Sequence, residues 1–388
     1  MFDVIVIGGG IIGCAAAYYL KMMDPSIRIA ILERDPSYTN ASTTLSFGVI
    51  RTQFSLKESI MMSQYTLEVL DRFEEEMAWS RDGTGVIFRK NGYLFLYSAQ
   101  DEALAAEALK LQEKLGCSVE WWTQEEIERH YPLMVATGLT DLAGGIFSVD
   151  DGYLDPHIFL MAYRTKAISL GVRFINDEVC VLLQGSNRVR GVRLTSGGQL
   201  EAPVVLNATG AWATQVAITA GLKLPIDSFM LQAFAFKPAV NPKKLPFVVV
   251  PSGVYFRPEM GGQILVGLRR LEDKDNFNFR WERKRFIEFI WPELAKAIPA
   301  FDTGKLLSGW AGLISQTRLD ANPILGEWPD LPGFYLTNGC SGHGLMHAPA
   351  IGRAIAEMIL DREPSLDLSI LGPERILANR PLKETCLF

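Results

Sequence analysis

The chain has only four histidines among 388 residues, and none falls in an H-E-x-x-H or comparable spacing, which argues against a metal centre. Its five cysteines (Cys14, Cys117, Cys180, Cys340 and Cys386) are odd in number and scattered, with no C-x-x-C pair. That excludes a zinc motif and a disulfide framework, and points to a reducing, cytoplasmic setting. Positive charge is in short supply: 38 Lys and Arg stand against 44 Asp and Glu, for a net charge of −6. A nucleic-acid partner, which needs basic surface, is therefore not expected. Beyond the first twenty residues no run is apolar and long enough to cross a bilayer. Internal repeats and low-complexity stretches are absent too. What remains is the composition of an ordinary globular protein, 48% hydrophobic and 21% charged, long enough for two or three domains. Mean hydropathy of +0.12 is slightly high. A large core accounts for it, and a peripheral membrane contact is the alternative.

The most informative residues come first. Asp3 to Ile7 reads as a short apolar strand, followed by Gly8, Gly9 and Gly10, then Gly13, then the small residues Cys14 to Ala17 at the start of a helix. A second strand, Ile27 to Leu32, ends on Glu33. This is strand, G-x-G-x-x-G, helix, strand and acid, in the order that dinucleotide binding requires. Gly8 permits the tight turn, Gly10 lets backbone approach a pyrophosphate, and Gly13 lets helix and sheet pack closely. The diphosphate would meet free N–H groups and the positive end of a helix dipole. Glu33 is placed to accept hydrogen bonds from a ribose. A signal peptide is the competing reading of this apolar run. It is set aside because Asp3 stands where positive charge is needed and four glycines interrupt the run.

Further on, Ile60 to Glu76 has the spacing of an amphipathic helix. Asn91 to Tyr97 alternates like a strand. Glu102 to Leu115 reads as a helix closed by Gly116, and Thr123 with Glu126 forms a capping-box pattern for a short helix to Tyr131. Gly144 to Phe147 suits a strand, and a turn at Asp151 to Pro156 leads into a helix over His157 to Leu170. Extended runs follow from Val172 to Leu206, the last entering Asn207-Ala208-Thr209-Gly210-Ala211-Trp212, a second glycine turn. Strand-like runs fill Ser228 to Val266. Arg280 to Ile298 is helical in pattern, and a glycine cluster at Gly339, Gly342 and Gly344 precedes a helix from Ala350 to Asp361. Such interleaving suggests two domains that cross the chain repeatedly.

Four motifs in this order, I-G-G-G-I-I-G with Glu33, A-S-T-T-L-S-F-G-V-I-R from Ala41 to Arg51, N-A-T-G-A-W, and N-G-C-S-G-H-G-L near the end, resemble the D-amino-acid oxidase superfamily of FAD enzymes. Within it the chain looks closest to a branch that holds sarcosine-oxidase β-subunit-like proteins and a mitochondrial flavoprotein linked to complex I assembly. The resemblance implies an α/β (overall α+β) fold: a Rossmann-like FAD-binding domain from residues 1–80, 141–220 and 320–388, interleaved with a substrate domain on a large antiparallel sheet from 81–140 and 221–319. It implies non-covalent FAD. Gly8, Gly10 and Gly13, with Ile11 and Ile12, would meet the pyrophosphate, Glu33 the ribose, and Arg34 the adenosine. Ser42 and Thr43 would contact the phosphates, with Ser46 and Gly48 in the same loop. Val179 would hold adenine through its backbone. Ala208, Gly210, Trp212 and Gly312 would support the middle of the cofactor, and Gly342, His343, Gly344 and Leu345 the pyrimidine end of the flavin. Backbone N–H groups of such a loop would stabilise the negative charge of reduced flavin.

The same resemblance implies oxidation of a C–N bond in a small-molecule amine or amino acid, by hydride transfer to flavin N5. Arg51 is the leading substrate residue, since a guanidinium fits a carboxylate bidentately. Tyr255 and His343 follow, and Arg257 and Arg269 are weaker anion contacts. The chain departs from its relatives where Met346 and Leu265 replace lysines, Ile314 an arginine and Leu45 an asparagine, and Gly309 to Gly312 lacks the cysteine of covalent flavin attachment. A bulkier or N-substituted amine fits these losses, with electrons passed to an acceptor other than oxygen, at the membrane or on a protein. The alternative is a flavoprotein that acts mainly in binding or assembly of a larger complex.

Overall fold

The computed structural model describes residues 1–78, 83–135, 138–139, 141–269 and 277–386. Two large sheets dominate. The first has six strands, in the order Ile324–Glu327, Phe334–Asn338, Val204–Asn207, Val4–Ile7, Ile29–Glu33 and Arg173–Asn176. All neighbours are parallel except the first pair. Val4–Ile7 is buried throughout, as a central parallel strand covered on both faces must be. On one face lies the helix Ile11–Met23, whose small residues let it meet the helix Gly344–Ile359 closely: a Cβ on Gly352 would sit 2.8 Å from Ala15.

The second sheet has eight strands: Gly304–Thr317, Ile226–Pro238, Gln263–Leu268, Val254–Glu259, Phe247–Val249, Tyr93–Ser98, Leu142–Ser148 and Val119–Trp122. Its pairs are antiparallel apart from Phe247–Val249 with Tyr93–Ser98. Mixed α/β architecture with a Rossmann-like sheet and a large, mostly antiparallel one is thus what the motifs implied. One strand crosses the expected division: Leu142–Ser148, assigned to the cofactor unit, pairs within the eight-stranded sheet.

Local readings differ in three places. The Ile60–Glu76 stretch is two helices, Lys57–Asp71 and Phe73–Met77, broken at Arg72. Helix over 280–298 begins only at Arg283, because Glu282 is held extended with its N–H donated to Gln232 Oε1 at 2.8 Å. The last long helix starts at Gly344, six residues before the expected Ala350, and runs through Pro349. The capping box at Thr123 and Glu126 is formed as read.

Candidate FAD and substrate cavity

A cavity of about 610 Å³ opens where the parallel strands end in Gly8, Glu33 and Ala208. Chain order reverses there, since Val4–Ile7 has Ile29–Glu33 on one side and Val204–Asn207 on the other. A crevice at such a switch point is where open α/β sheets take ligands.

Local chemistry shapes its narrow end. Gly8 has φ +99°, a conformation open to glycine, and its N–H donates to Leu32 O at 2.8 Å. A Cβ on Gly13 would lie 2.1 Å from Gly8 O, so Gly13 serves close packing of helix on turn. It does not line the cavity, so close packing is the part the geometry gives it. Gly10 does line it, and a Cβ there would meet only Thr43 Oγ1 at 3.6 Å. That is open space against a helix N-terminus with no side-chain cap, whose first-turn N–H groups lack intrahelical acceptors. Backbone left bare beside an uncapped positive dipole suits a pyrophosphate, so the residues fit FAD.

Glu33 lies in the wall. Its oxygens accept from Gly9 N (2.8 Å) and Asp35 N (2.9 Å), which fixes the carboxylate where a ribose would reach it. Burial raises its pKa, against the pull of those two N–H groups. Arg34 stacks 4.1 Å over the Trp212 ring and pairs with Glu178 at 3.2 Å, at the same end as Val179. Thr43 Oγ1 accepts from Ile11 N at 3.4 Å, while the Ser42 hydroxyl donates to Leu313 O at 2.5 Å and so spends its proton within the protein. Ile11, Ile12, Ser46, Gly48, Ala208, Gly210 and Gly312 also line the cavity.

At the other end Gly342, His343, Gly344, Leu345 and Met346 form the wall, where the helix Gly344–Ile359 begins without a side-chain cap. His343 precedes that helix. Burial first, then the charges of Arg51, His347 and Arg269, hold its pKa well below the usual histidine range, so its ring is neutral. Tyr255 is buried and lines the cavity, with Phe47 at 5.0 Å and Phe247 at 6.0 Å between ring centroids. Its seat comes from its cross-strand partner Gly267, where a Cβ would lie 2.5 Å from the phenol. Burial pushes the Tyr255 hydroxyl up to about 12, against the pull of Arg269.

Two arginines lie otherwise than their motifs ranked them. Arg51, the expected substrate clamp, is 0% exposed and absent from the cavity wall. Its guanidinium donates to Gln53 O and, at 2.6 Å, to Cys386 O, and stacks 4.0 Å over Phe54. Arg269, expected to matter less, does line the cavity, with its guanidinium donating to Gln316 Oε1. Arg257 is buried elsewhere, bonded to Phe47 O and Glu259. Phe47, Phe247 and Gln232 of the wall went unread. Only Phe47 carried a signal, its place inside the S-F-G run.

The chain is similar to several known proteins. "FAD-dependent oxidoreductase domain-containing protein 1" of Bos taurus is 32% identical over 426 residues, covering 99% of this chain and 87% of its own length. "4-methylaminobutanoate oxidase (formaldehyde-forming)" of Paenarthrobacter nicotinovorans is 27% identical across 96% of this chain and 45% of itself. In three dimensions L-proline dehydrogenase from P. horikoshii superposes with a TM-score of 0.87 at 26% identity, over 98% of this chain and 99% of that one. The profile of the family described as FAD dependent oxidoreductase, DAO, matches residues 3–358. The chain belongs to this family, and its cofactor is FAD.

Proposed function

We propose that this FAD-dependent oxidoreductase oxidises the C–N bond of an amine or N-substituted amino acid, and that its electrons pass to an acceptor other than oxygen. The observation that carries the reading is the presence of both Arg269 and Tyr255 in the wall of the cavity that also holds the glycine turns. Two of the similar proteins support it by name, one acting on 4-methylaminobutanoate and one on L-proline, both secondary amines that bear a carboxylate.

When bound, FAD supplies a hydride acceptor at N5. This chain's residues bind and orient. Arg269 engages the substrate carboxylate, and Tyr255, kept protonated, donates a hydrogen bond beside it. Phe47 and Phe247 exclude water from that end. The acidic residues of the wall (Glu33, Asp35, Asp177 and Glu178) all belong to the Glu33 and Val179 segments of the adenosine end. Among the described residues of the wall an ammonium next to Arg269 finds no counter-ion, which favours the neutral amine whose lone pair the oxidation requires. His343, neutral, adds no opposing charge. Five free thiols support a reducing setting such as the cytoplasm.

Anaerobic titration with a panel of N-methylated, cyclic secondary and primary amino acids tests the reading. At least one secondary amino acid should bleach the flavin absorbance band. Silence across the panel, together with a stable protein partner recovered from cells, would favour a role in binding or assembly.

A further inference from the structure

Arg269 follows the strand Gln263–Leu268 and lines the cavity, and its guanidinium donates from Nη2 to Gln316 Oε1. Gln316 does not itself line the cavity. It stands on Gly304–Thr317, the outermost strand of the eight-stranded sheet. Such a strand has main-chain groups to spare on one side. Here the segment that leads into the flavin end of the wall takes them up. The main chain of Gln316 forms an antiparallel bridge with Cys340, and Ser315 O accepts from Ser341 N at 2.8 Å. A turn closed by His343 N on Cys340 O, at 2.8 Å, then carries the chain through Gly342 into the helix Gly344–Ile359. One residue thus joins two parts of the wall. Its amide holds Arg269, and its backbone holds the turn at His343.

An arginine has a long side chain with much rotational freedom to lose. A partner that fixes it beforehand leaves less to be lost when a carboxylate arrives. The charge of that partner matters as well. An amide oxygen accepts a hydrogen bond and brings no negative charge to the place where an acid group must sit. A carboxylate in its position would compete with that group for the guanidinium. We propose that Gln316 is a positioning residue: through an uncharged acceptor it sets Arg269 at a fixed offset from the turn Cys340–His343, and so fixes where the acid group of the substrate lies. That Arg269 receives the acid group rests on the function proposed above.

Cyclopentanecarboxylate, which has the acid group of a cyclic amino acid and no amine to oxidise, is the probe, with cyclopentanecarboxamide as its uncharged counterpart. Calorimetric titration of the FAD-loaded protein gives a Kd for each. Gln316→Met keeps the volume and removes the amide. It should weaken the carboxylate about tenfold and leave the carboxamide unchanged. Loss of packing alone would weaken both alike, and that result overturns the proposal, as does an unchanged Kd for the carboxylate. Gln316→Glu keeps an acceptor and adds a charge, so it should weaken the carboxylate further; a Kd at or below that of the native chain counts against the proposal. Should Gln316→Met fail to fold, Gln316→Glu decides alone. Arg269→Ala separates this inference from the reading beneath it. If that variant loses the carboxylate while both Gln316 variants keep it, Arg269 stands and the part given to Gln316 falls. If Arg269→Ala binds the carboxylate as the native chain does, or the native chain does not bind it, the acid site is lost and Gln316 with it.

Discussion

At Arg51 and Arg269 burial, rather than charge, decides which of the two faces the cavity. Both are arginines near the flavin end, both act electrostatically on His343, and a sequence ranks them by motif alone. Packing reverses the ranking, because Arg51 is covered and Arg269 reaches the cavity. Arg269→Ala should therefore weaken a carboxylated substrate by roughly 2–5 kcal/mol, the loss expected when one side of a desolvated charge pair is removed. Comparing KM for that substrate with KM for the same amine lacking its acid group checks this, and equal effects on both would remove Arg269 from the site. His347 gives a prediction in pH. Burial, helped by Arg51, lowers its pKa from 6.5 to about 3, and its Nε2 is 3.1 Å from Ser63 Oγ. Between those values the unfolded chain takes up a proton that the folded chain refuses. Stability from this group is complete above pH 6.5 and is lost as pH falls, at about 1.4 kcal/mol per pH unit. Replacing it, His347→Gln, should flatten the acid limb of the stability curve by about one proton. An unchanged slope in denaturant melts at several pH values would contradict this.

Elements show where a sequence speaks and where it is silent. The glycine turn was readable because its demands are local: a left-handed residue at Gly8, bare backbone at Gly10, contact at Gly13. Two substitutions separate these demands. Gly13→Ala must push a methyl into the Gly8 carbonyl, and should lower stability by roughly 1–3 kcal/mol or more. Gly10→Ala has room to fold, so its thermal melt without cofactor should stay near that of the native chain while retained flavin absorbance falls. If both variants lose the same property, the turn does not divide its work in this way. The start of the last long helix was misread at Pro349, which usually marks a boundary. Here Pro349 is the sixth residue of the helix and lies inside it, at the cost of the hydrogen bond its N–H would have given to Leu345 O. The break at Arg72 and the late start at Arg283 were invisible for another reason. Arg72 sits off the helix at φ −111° and ψ 5°, and Glu282 is held by the reach of Gln232 from a distant strand, outside the window that periodicity samples. Leu142–Ser148 was legible as a strand, but its sheet depends on partners at Tyr93–Ser98 and Val119–Trp122.

In the whole molecule one cavity is walled by both sheets, with Gly8 and Ala208 from one and Tyr255, Gln232 and Leu313 from the other. FAD held there touches both bodies of structure. Stripping it should lower the melting temperature of the entire chain, with about 2.7 kcal/mol regained when FAD is supplied at a hundredfold excess over its Kd. Calorimetry that finds only part of the molecule affected would show that the sheets are not coupled through this space. The parallel sheet carries a further implication for biosynthesis. Val4 lies in register with Ile29 on one side and with Val204 on the other, and Val205 in turn with Phe334. A polypeptide leaving the ribosome thus exposes its most apolar strand while some two hundred residues are still to be translated, and the nascent Rossmann half must be shielded meanwhile. Because Gly342–Met346 complete the wall last, coenzyme capture waits until that segment has been made.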